Sequence, residues 1–362
     1  MAKSIKSGID IDLGNQCSRT AYSWAKKSFG HRPAGSGNPL IAVDGVFSNV
    51  MNYQGIKVGI SSDGIGTKIE LAERTGIYNT LGFDLVAMTV DDLAANGIEP
   101  VNLSNILDVD HLDHDIIDSL MQGLYEAAKV ARITVTGGEI AELGNRIGGY
   151  GERMHFNWCS TATGIVPEGH ELIDGSGIKP GQIVVSLASR GFRSNGFSLI
   201  RTVLEDAFGP KWHEIKYDRD RTWGETLLTH SRIYSPLVTD LIRSGIPIYG
   251  VAHITGGGIA ENFKRVLKTS RCGADLLSIY NAHDIMKSIQ KMGNVPERTA
   301  YRLWNMGNGM LLVTDEKFLP EINKLSEKYG YPVCKAGIIT DEPVIRLQSS
   351  GCKPRILQYP LK

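Results

Sequence analysis

The chain has 362 residues, enough for two domains that each enclose a core of their own. Apolar residues make up 42% and charged residues 22%, as in an ordinary globular protein, and the formal net charge is zero. A neutral chain disfavours nucleic acid and membranes as electrostatic partners, so any anionic ligand must be bound by local groups.

The opening sequence and the cysteines predict a cytoplasmic location. MAKSIKSGIDID lacks the apolar segment of a signal peptide, and no later stretch has the length and apolarity of a membrane span. The cysteines are odd in number and form no CxxC pair: Cys17, Cys159, Cys272, Cys334 and Cys352. This spacing favours reduced thiols over a disulfide framework or a structural zinc site.

The first forty residues are polar and punctuated by glycine. We predict an extended arm, a helix over 16–29 and a flexible loop over 30–39. Strands are predicted next, over 40–50 and 55–61.

The stretch KVGISSDGIGTKIEL at 57–71 predicts a strand that runs into an acidic, glycine-rich turn. Gly64 and Gly66 free the backbone to bend and to bring N–H groups close to a ligand. Asp63 supplies the hard oxygen that magnesium prefers, and Lys68 supplies a point cation suited to a phosphate. The turn therefore indicates a site for a magnesium-bound polyphosphate; an ordinary surface hairpin is the alternative.

The stretch FDLVAMTVDDLAAN at 83–96 predicts a helix with an apolar side. Asp84 shares a face with at least one of Asp91 and Asp92, about two turns further on. Carboxylates on one rim of an apolar helix are either solvated or bound to something positive, and the sequence leaves both interpretations open.

A second amphipathic helix is predicted over 116–130, and a short strand over 133–136 follows it. That strand is predicted to end at Gly137, Gly138 and Glu139, a usual position for a site in a sheet protein. Another strand is predicted over 158–166, and the turn-rich segment 167–180 predicts a domain boundary. We therefore divide the chain into an N-terminal domain, 1–168, and a C-terminal α/β domain, 169–362.

The second half is predicted to begin with a buried strand and a helix joined by the loop 190–196, which contains Ser194 and Asn195. Either residue could cap the helix and leave free N–H groups for an anion. The remaining predicted elements are strands over 182–189, 249–254, 309–313 and 335–339 and helices over 197–208, 232–244, 259–267 and 317–330.

Thr255, Gly256, Gly257 and Gly258 lie between a predicted strand and a predicted helix. Such a loop is either a second phosphate cradle or a structural turn. The chain contains neither of the two common nucleotide-binding motifs, the GxGxxG fingerprint and the GxxxxGK[ST] loop.

Several of these stretches together resemble one family, and they occur in the same order as in that family. They are GIDIDLGN, SxDGIGTK, GFDLVAMTVDDL, TGGEIAE, SNGFSLIR, SRIY, AHITGGGIAENFKRVL and YRLWNMGNGM. The chain thus resembles the phosphoribosylformylglycinamidine cyclo-ligases, also called aminoimidazole ribonucleotide synthetases, over roughly residues 8–339.

The resemblance implies a fold and a reaction. The fold is α/β, of the α+β type, with two domains; the N-terminal domains of a homodimer pair into a β-barrel, with ATP bound near their interface. In the reaction, ATP phosphorylates the amide oxygen of formylglycinamidine ribonucleotide. The amidine nitrogen then attacks the same carbon, phosphate leaves, and the aminoimidazole ring closes.

The resemblance also implies residue roles, with ATP and Mg2+ as cofactors. Magnesium is expected on Asp63, Asp92 and Glu139, and Lys68 is expected to neutralise the phosphoryl group in transfer. The expected ATP-binding set adds Gly64, Gly66, Thr67, Asp84, Gly137 and Gly138. The phosphorylated ribonucleotide is expected on Arg193, Ser194, Asn195, Thr255, Gly256, Gly257 and Gly258. His253 is either a proton carrier in ring closure or a histidine satisfied by neighbouring backbone.

Four stretches depart from the family pattern, all in loops that we expect on the substrate side. The segment 33–38 replaces a glycine-rich loop, Arg193 stands where the family typically has histidine, and segments 140–147 and 304–310 also differ. A different acceptor and a non-catalytic nucleotide-binding paralogue are therefore the two alternatives to the cyclo-ligase.

Overall fold

The computed structural model describes residues 11–40 and 47–361. Residues 1–10 of the predicted arm and residues 41–46 of the strand predicted at 40–50 lie outside the described residues. Within those ranges the chain forms two domains of mixed helices and strands, each built on one sheet. Of the helices described, none is long and apolar enough to cross a membrane.

The first domain follows the predicted order closely. The helices predicted at 83–96 and 116–130 and the strand predicted at 158–166 are confirmed, and the first helix begins five residues earlier than predicted. The loop predicted at 30–39 is wrong at its end, where residues pair with the next strand. The elements are α1 (Ile11–Lys27), β1 (Ser36–Pro39), β2 (Asn49–Tyr53), β3 (Ile56–Gly64), α2 (Ile69–Thr75), α3 (Leu81–Ala95), β4 (Glu99–Val109), α4 (His114–Ala131), β5 (Thr134–Glu142) and β6 (Phe156–Ile165).

The six strands form one sheet in the order β1-β2-β3-β6-β4-β5, antiparallel except for the parallel pair β4–β5. Helix α3 packs on β3 and β6, and α4 packs on α3. On the helix-covered face, Leu103 and Leu107 of β4 are fully buried, whereas Ile106 on the opposite face is 51% exposed. The first sheet therefore has one face in the core and one open face.

The second domain contains every strand predicted for it. It also contains three helices and three strands that were not predicted: Trp223–Leu227, Gly273–Leu276, Asp284–Met292, Glu297–Leu303, Val344–Gln348 and Ile356–Pro360. Its elements are β7 (Ile183–Ala188), α5 (Phe197–Phe208), α6 (Trp223–Leu227), α7 (Ser235–Arg243), β8 (Gly250–His253), α8 (Gly258–Leu267), β9 (Gly273–Leu276), α9 (Asp284–Met292), α10 (Glu297–Leu303), β10 (Asn308–Thr314), α11 (Leu319–Lys328), β11 (Val333–Thr340), β12 (Val344–Gln348) and β13 (Ile356–Pro360).

These strands form a second sheet in the order β13-β12-β9-β11-β7-β10-β8. Strand β8 is an edge strand, yet all four of its residues are buried, because α3 of the first domain lies against it. Helix α3 is therefore shared by the two domains, and it places its acidic residues opposite the end of β8.

In the second domain one predicted helix cap and one predicted helix start are wrong. Helix α5 begins at Phe197 as predicted, but it follows Gly196, a left-handed residue with φ 80°, and neither Ser194 nor Asn195 caps it. Helix α7 begins at Ser235 and not at Arg232, because the backbone just before it is bound by acids of α3.

Candidate active site

Asp63 lies near the end of β3, on the face of the sheet that α3 covers, since it pairs with the buried Ser160. Its carboxylate accepts a hydrogen bond from the backbone N–H of Gly64, with 2.7 Å between Gly64 N and Asp63 Oδ1. Burial raises the pKa of Asp63 to about 6; the Gly64 hydrogen bond opposes this shift and the charge of Asp92 adds to it. An acid whose charge is poorly compensated is suited to bind a cation.

In the turn after Asp63, two buried residues, Ile65 and Lys68, flank two exposed ones. Ile65 is buried and donates its N–H to the carbonyl of Trp158, at 3.2 Å. Gly66 has φ 69° and, with Thr67, is exposed. The two residues expected to meet phosphate groups are therefore accessible, on a turn whose flanks are held by the core.

Asp92 comes from α3 to the same place. Its Oδ1 accepts a hydrogen bond from His253 Nδ1 at 2.7 Å, and its Oδ2 lies 3.5 Å from Ser61 Oγ. Its side chain is 18% exposed. Burial raises the pKa of Asp92 to about 7, against the positive charges of Arg265 and Arg193.

The structure thus brings together two of the three acids predicted to hold magnesium, Asp63 and Asp92. Both have raised pKa values, and a divalent cation between them would supply the missing positive charge. In the part of the chain that the structure describes, no group of three His, Cys, Asp or Glu side chains could hold a metal ion. Two carboxylates fit magnesium, which usually retains water and binds substrate phosphates as well.

Glu139 does not join this pair within one chain. Asp63 pairs with Ser160, Ser160 with Asn105, and Asn105 with Gly138, so Asp63 and Gly138 lie about 14 Å apart across three strand spacings. Glu139, the next residue, points to the opposite face of the sheet. Gly137, Gly138 and Glu139 are also exposed and lie inside β5, so the prediction that a strand ends there is wrong.

Lys68 is completely buried, which corrects the expectation of a cation free to meet a phosphate. Its Nζ donates to Asp84 Oδ2 at 2.7 Å and to the carbonyl of Thr229 at 2.9 Å. Asp84, also fully buried, accepts a hydrogen bond from the backbone N–H and another from the hydroxyl of Ser231. The pair therefore joins the turn of the first domain to residues 229–231 of the second.

Asp91 was not among the predicted site residues, yet it has the most partners of the α3 acids. Its Oδ1 accepts hydrogen bonds from the backbone N–H groups of Tyr234 and Ser235, at 2.8 and 2.9 Å. Its Oδ2 lies 3.1 Å from Arg193 Nη2. The interpretation of the α3 acids as a solvated face is wrong, because Asp84 and Asp91 are fully buried and paired.

His253 ends β8 between these acids and is fully buried. Arg193 Nη2 donates to His253 Nε2 at 2.8 Å, so the ring proton is on Nδ1, which donates to Asp92. Burial, together with the charge of Arg193, lowers the pKa of His253 to about 3. Both ring nitrogens are occupied, so the contacts fit a satisfied histidine whose partners are side chains, and they leave no nitrogen for a proton carrier.

The predicted substrate loops lie next to each other. A Cβ placed on Gly256 would lie 3.4 Å from Asn195 Oδ1. Asn262 of α8 donates to the carbonyls of Gly258 and Gly256, at 2.8 and 3.2 Å, and so fixes the loop. Gly258 has φ 66°, and a Cβ there would lie 1.9 Å from the Tyr301 carbonyl, so the loop requires glycine at this position.

Arg193 and Ser194 are placed differently from Asn195. Both are buried, Arg193 with 1% of its surface exposed, so in this arrangement they face the protein and not a substrate. The hydroxyl of Ser194 is buried without a hydrogen-bond partner. Of the three residues predicted here to bind the substrate, Asn195 is the one that is partly exposed.

A cavity of about 520 Å³ lies beside Thr229, whose carbonyl accepts a hydrogen bond from Lys68. Its wall includes Thr229 and His230, which directly precede the serine bound by Asp84, and the cationic Arg190 and Arg232. Nothing in the sequence patterns indicated it, because its lining comes from short segments of both domains.

The residues that sequence reasoning missed are Ser61, Asp91, Ser231, Asn262 and Arg265. Ser61 precedes Asp63 by two positions on the same strand, so the alternation of β3 could have placed it on the same face. Asn262 follows Gly258 by one helical turn, so helical spacing could also have found it. The partners of Asp91 come from distant parts of the chain, and no local pattern indicates them.

The fold and the candidate site define a two-domain protein of mixed α/β structure, with paired acids where the first sheet meets the second domain. Models of the AIR synthase related protein family match this chain, with the N-terminal domain at residues 45–166 and the C-terminal domain at 179–350. The chain belongs to this family.

Curated relatives extend the match to almost the whole chain. The phosphoribosylformylglycinamidine cyclo-ligase of Carboxydothermus hydrogenoformans is 35% identical over 342 residues, covering 92% of this chain and 95% of the relative. That of Thermococcus kodakarensis is 33% identical, covering 96% of this chain and 98% of the relative.

Solved structures with the same fold have lower sequence identity. A HypE–HypF complex includes a chain with a TM-score of 0.60 and 17% identity, over 86% of this chain and 93% of that one. AaThiL complexed with AMPPCP and TMP has a TM-score of 0.58 and 14% identity, over 88% and 92% of the two chains. At these identities the likeness shows the fold alone.

Proposed function

We propose that this protein is an ATP-dependent phosphoribosylformylglycinamidine cyclo-ligase of purine biosynthesis. The observation that carries the proposal is the 31–36% identity to curated enzymes of that name, over most or nearly all of the chain. The substrate is formylglycinamidine ribonucleotide, and ADP, phosphate and the aminoimidazole ribonucleotide are released. We also propose a cytoplasmic location.

In this proposal, ATP lies along the turn from Asp63 to Thr67, and Asp63 and Asp92 hold magnesium on its phosphates. The metal supplies positive charge to the phosphoryl group in transfer. An amide oxygen is a poor leaving group, and its conversion to phosphate lets an internal nitrogen displace it near neutral pH. The chain therefore has to position the two reactants and exclude water, and it needs no covalent nucleophile.

The ribonucleotide is proposed to bind at the loops where Asn195 meets Gly256. This places the acceptor beside β8, close to His253 and the acids of α3. We keep residues 1–168 as the ATP-binding and dimerisation domain and 169–362 as the C-terminal α/β domain.

The experiment that tests this function is complementation of a purine-auxotrophic strain that lacks the cyclo-ligase, combined with a phosphate-release assay on the purified protein. Growth without purine and release of phosphate that depends on formylglycinamidine ribonucleotide are expected. ATP hydrolysis with a different acceptor would favour another enzyme of the superfamily. Binding of ATP without phosphate release would favour a non-catalytic paralogue.

The magnesium proposal predicts that magnesium stabilises the protein more at higher pH. The pKa values of Asp63 and Asp92 are raised to about 6 and 7, so without metal these acids lower the stability as the pH rises from about 4 to 7. Magnesium binds the ionised forms and reverses that trend. The increase in Tm on adding magnesium and ATP should therefore be small at pH 5 and large at pH 8.

In an Asp63→Asn/Asp92→Asn double variant, the magnesium-dependent increase in Tm should be small at both pH values. An increase that is the same at pH 5 and pH 8 in the wild-type protein would contradict this assignment of the metal ligands.

The homodimer is also a proposal, supported by the open face of the first sheet and by β5, its exposed edge strand. Ile106 on that face is 51% exposed in the single chain. Ile106→Arg should leave the monomer fold intact but convert a dimer to a monomer, because a charge would be buried between two sheets. Sedimentation or light scattering measures this change.

The matched control for the dimer prediction is Tyr125→Arg. Tyr125 lies on α4, away from the open sheet face, and is 64% exposed. This variant should have the same oligomeric state in solution as the wild-type protein. A wild-type protein that is monomeric at micromolar concentration would contradict the prediction.

A further inference from the structure

Arg193 is the most deeply buried arginine among the described residues, and it lies at the contact between the domains. It lies in the loop before α5 and has φ 61°, an uncommon conformation for a residue with a side chain. Only 1% of its surface is exposed, and its guanidinium lies 5.1 Å from the centre of the Tyr234 ring. A buried arginine in a strained conformation requires a compensating role.

The guanidinium contacts three groups through two nitrogens. Nη2 lies 3.1 Å from Asp91 Oδ2 and 2.8 Å from His253 Nε2, so its two hydrogens serve an acid of α3 and the ring at the end of β8. Nη1 donates to the carbonyl of Gly309 on β10, at 3.3 Å. One side chain thus joins the shared helix to two strands of the second sheet.

The contact with His253 decides which tautomer that ring adopts. Because Nη2 can only donate, Nε2 must accept, and the ring proton must be on Nδ1. Nδ1 then donates to Asp92 Oδ1 at 2.7 Å. Without Arg193, the Nε2–H tautomer becomes possible, and in that tautomer Nδ1 presents a lone pair to the carboxylate and repels it.

We propose that Arg193 is a positioning residue for magnesium: it fixes the Nδ1–H tautomer of His253, and His253 in turn holds Asp92 in the orientation that binds the metal. The chain of contacts is Asp91–Arg193–His253–Asp92. The proposal rests on the proposed function only in taking Asp92 as a magnesium ligand.

The arrangement also explains how this chain tolerates arginine where the family pattern has histidine. Asp91 is fully buried and supplies the negative charge that a permanent cation needs. The backbone N–H groups of Tyr234 and Ser235 bind the other oxygen of Asp91, so the acid stays aligned with the guanidinium. The substitution therefore changes the group that orients His253 without leaving an unpaired charge.

The test combines Arg193→Lys and Arg193→Met with two readouts. Lysine keeps the charge that Asp91 needs but lacks the planar fork, and methionine removes the donor altogether. The first readout is the tautomer of His253, from 15N NMR of histidine-labelled protein without metal. The second is the magnesium concentration that gives half of the maximal increase in Tm with saturating ATP.

In wild-type protein we expect the Nδ1–H tautomer of His253. In Arg193→Met we expect a mixture of tautomers and a rise of about tenfold in the half-saturating magnesium concentration, as is typical when a residue that orients a metal ligand is lost. In Arg193→Lys, whose ammonium can still donate to Nε2, we expect both changes to be smaller. His253→Gln should show the same rise in the half-saturating magnesium concentration. The glutamine amide oxygen can still accept the hydrogen bond from Arg193, but Asp92 loses the hydrogen bond that His253 Nδ1 donates to it.

The matched control is Arg243→Met. Arg243 also forms an ion pair between the domains, with Glu99, but its side chain is 58% exposed, unlike that of Arg193. Its loss should leave the His253 tautomer and the magnesium dependence unchanged.

A folded Arg193→Met protein with wild-type tautomer and wild-type magnesium dependence would overturn the proposal and leave Arg193 a structural role alone. If Arg193→Met does not fold, wild-type magnesium dependence in His253→Gln would overturn it. A wild-type protein without cyclo-ligase activity would refute the proposed function, whereas the tautomer and the magnesium titration would still test this inference.

Discussion

Asp63→Asn is expected to lower turnover by about 100-fold or more while leaving the Tm unchanged or higher. The activity falls because the amide is a much weaker magnesium ligand than the carboxylate. Stability does not fall, because the pKa of Asp63 is raised to about 6, which means that its ionised form is disfavoured in the folded protein without metal. The amide oxygen can still accept the hydrogen bond from Gly64.

The measurement is steady-state turnover at pH 8 over a range of magnesium concentrations, together with thermal unfolding without metal. Asp118→Asn is a suitable control, because Asp118 is an exposed carboxylate on α4. It should change neither quantity appreciably. A drop in Tm with intact turnover for Asp63→Asn would make Asp63 a structural residue.

The elements with strong periodicity were predictable from the sequence. Helix α3 was predicted over 83–96 and lies at Leu81–Ala95, because its apolar spacing is the spacing of its core contacts. The turn after β3 was also predictable, since an acid followed by two glycines within four residues requires a bend. The motifs placed Asp63, Asp92, His253 and the 255–258 loop in one family pattern, and the structure brings them to one region.

The partners of the α3 acids could not be predicted. Asp84 contacts residues 68 and 231, and Asp91 contacts residues 193 and 234, at separations along the chain that local patterns do not encode. For the same reason α7 begins later than predicted: the backbone N–H groups of Ser231 and Tyr234, just before the helix, bind the carboxylates of Asp84 and Asp91.

Glu139 shows the limit of reasoning from motif order alone. Its stretch matched the family pattern, but the register of β4 and β5 decides which face it occupies, and a shift of one residue would reverse that face. In the single chain Glu139 lies on the open face, away from Asp63 and Asp92. Any contribution of Glu139 to a nucleotide site therefore depends on what covers that face.

The α3 acids connect the stability of the molecule with its proposed activity. Asp84 binds Lys68 of the first domain and the backbone N–H of Ser231 in the second. Asp91 binds backbone N–H groups and Arg193 of the second domain, and Asp92 is held by His253 of that domain. The orientation of Asp92 therefore depends on the docking of the two domains. Substitutions at this contact should change magnesium dependence as well as Tm.

Lys68→Met is expected to lower the free energy of unfolding by about 3–5 kcal/mol, the largest stability change predicted for this chain. Both Lys68 and Asp84 have 0% exposed side chains, and their charged atoms lie 2.7 Å apart. Removing the ammonium leaves a carboxylate buried without its cation. Chemical denaturation of the wild-type and variant proteins measures the change.

A double-mutant cycle with Asp84→Asn tests whether the pair is the cause. The double variant should lose about 1–3 kcal/mol less than the sum of the single variants, because neither partner is then left as an unpaired charge. Lys57→Met is the control, since Lys57 pairs with Glu171 at the surface, where the partner is 85% exposed, and should change stability by less than about 1 kcal/mol. If Lys68→Met is as stable as the wild-type protein but loses turnover, the prediction is contradicted. Lys68 would then have to leave Asp84 and contact the phosphate directly, as expected from the sequence.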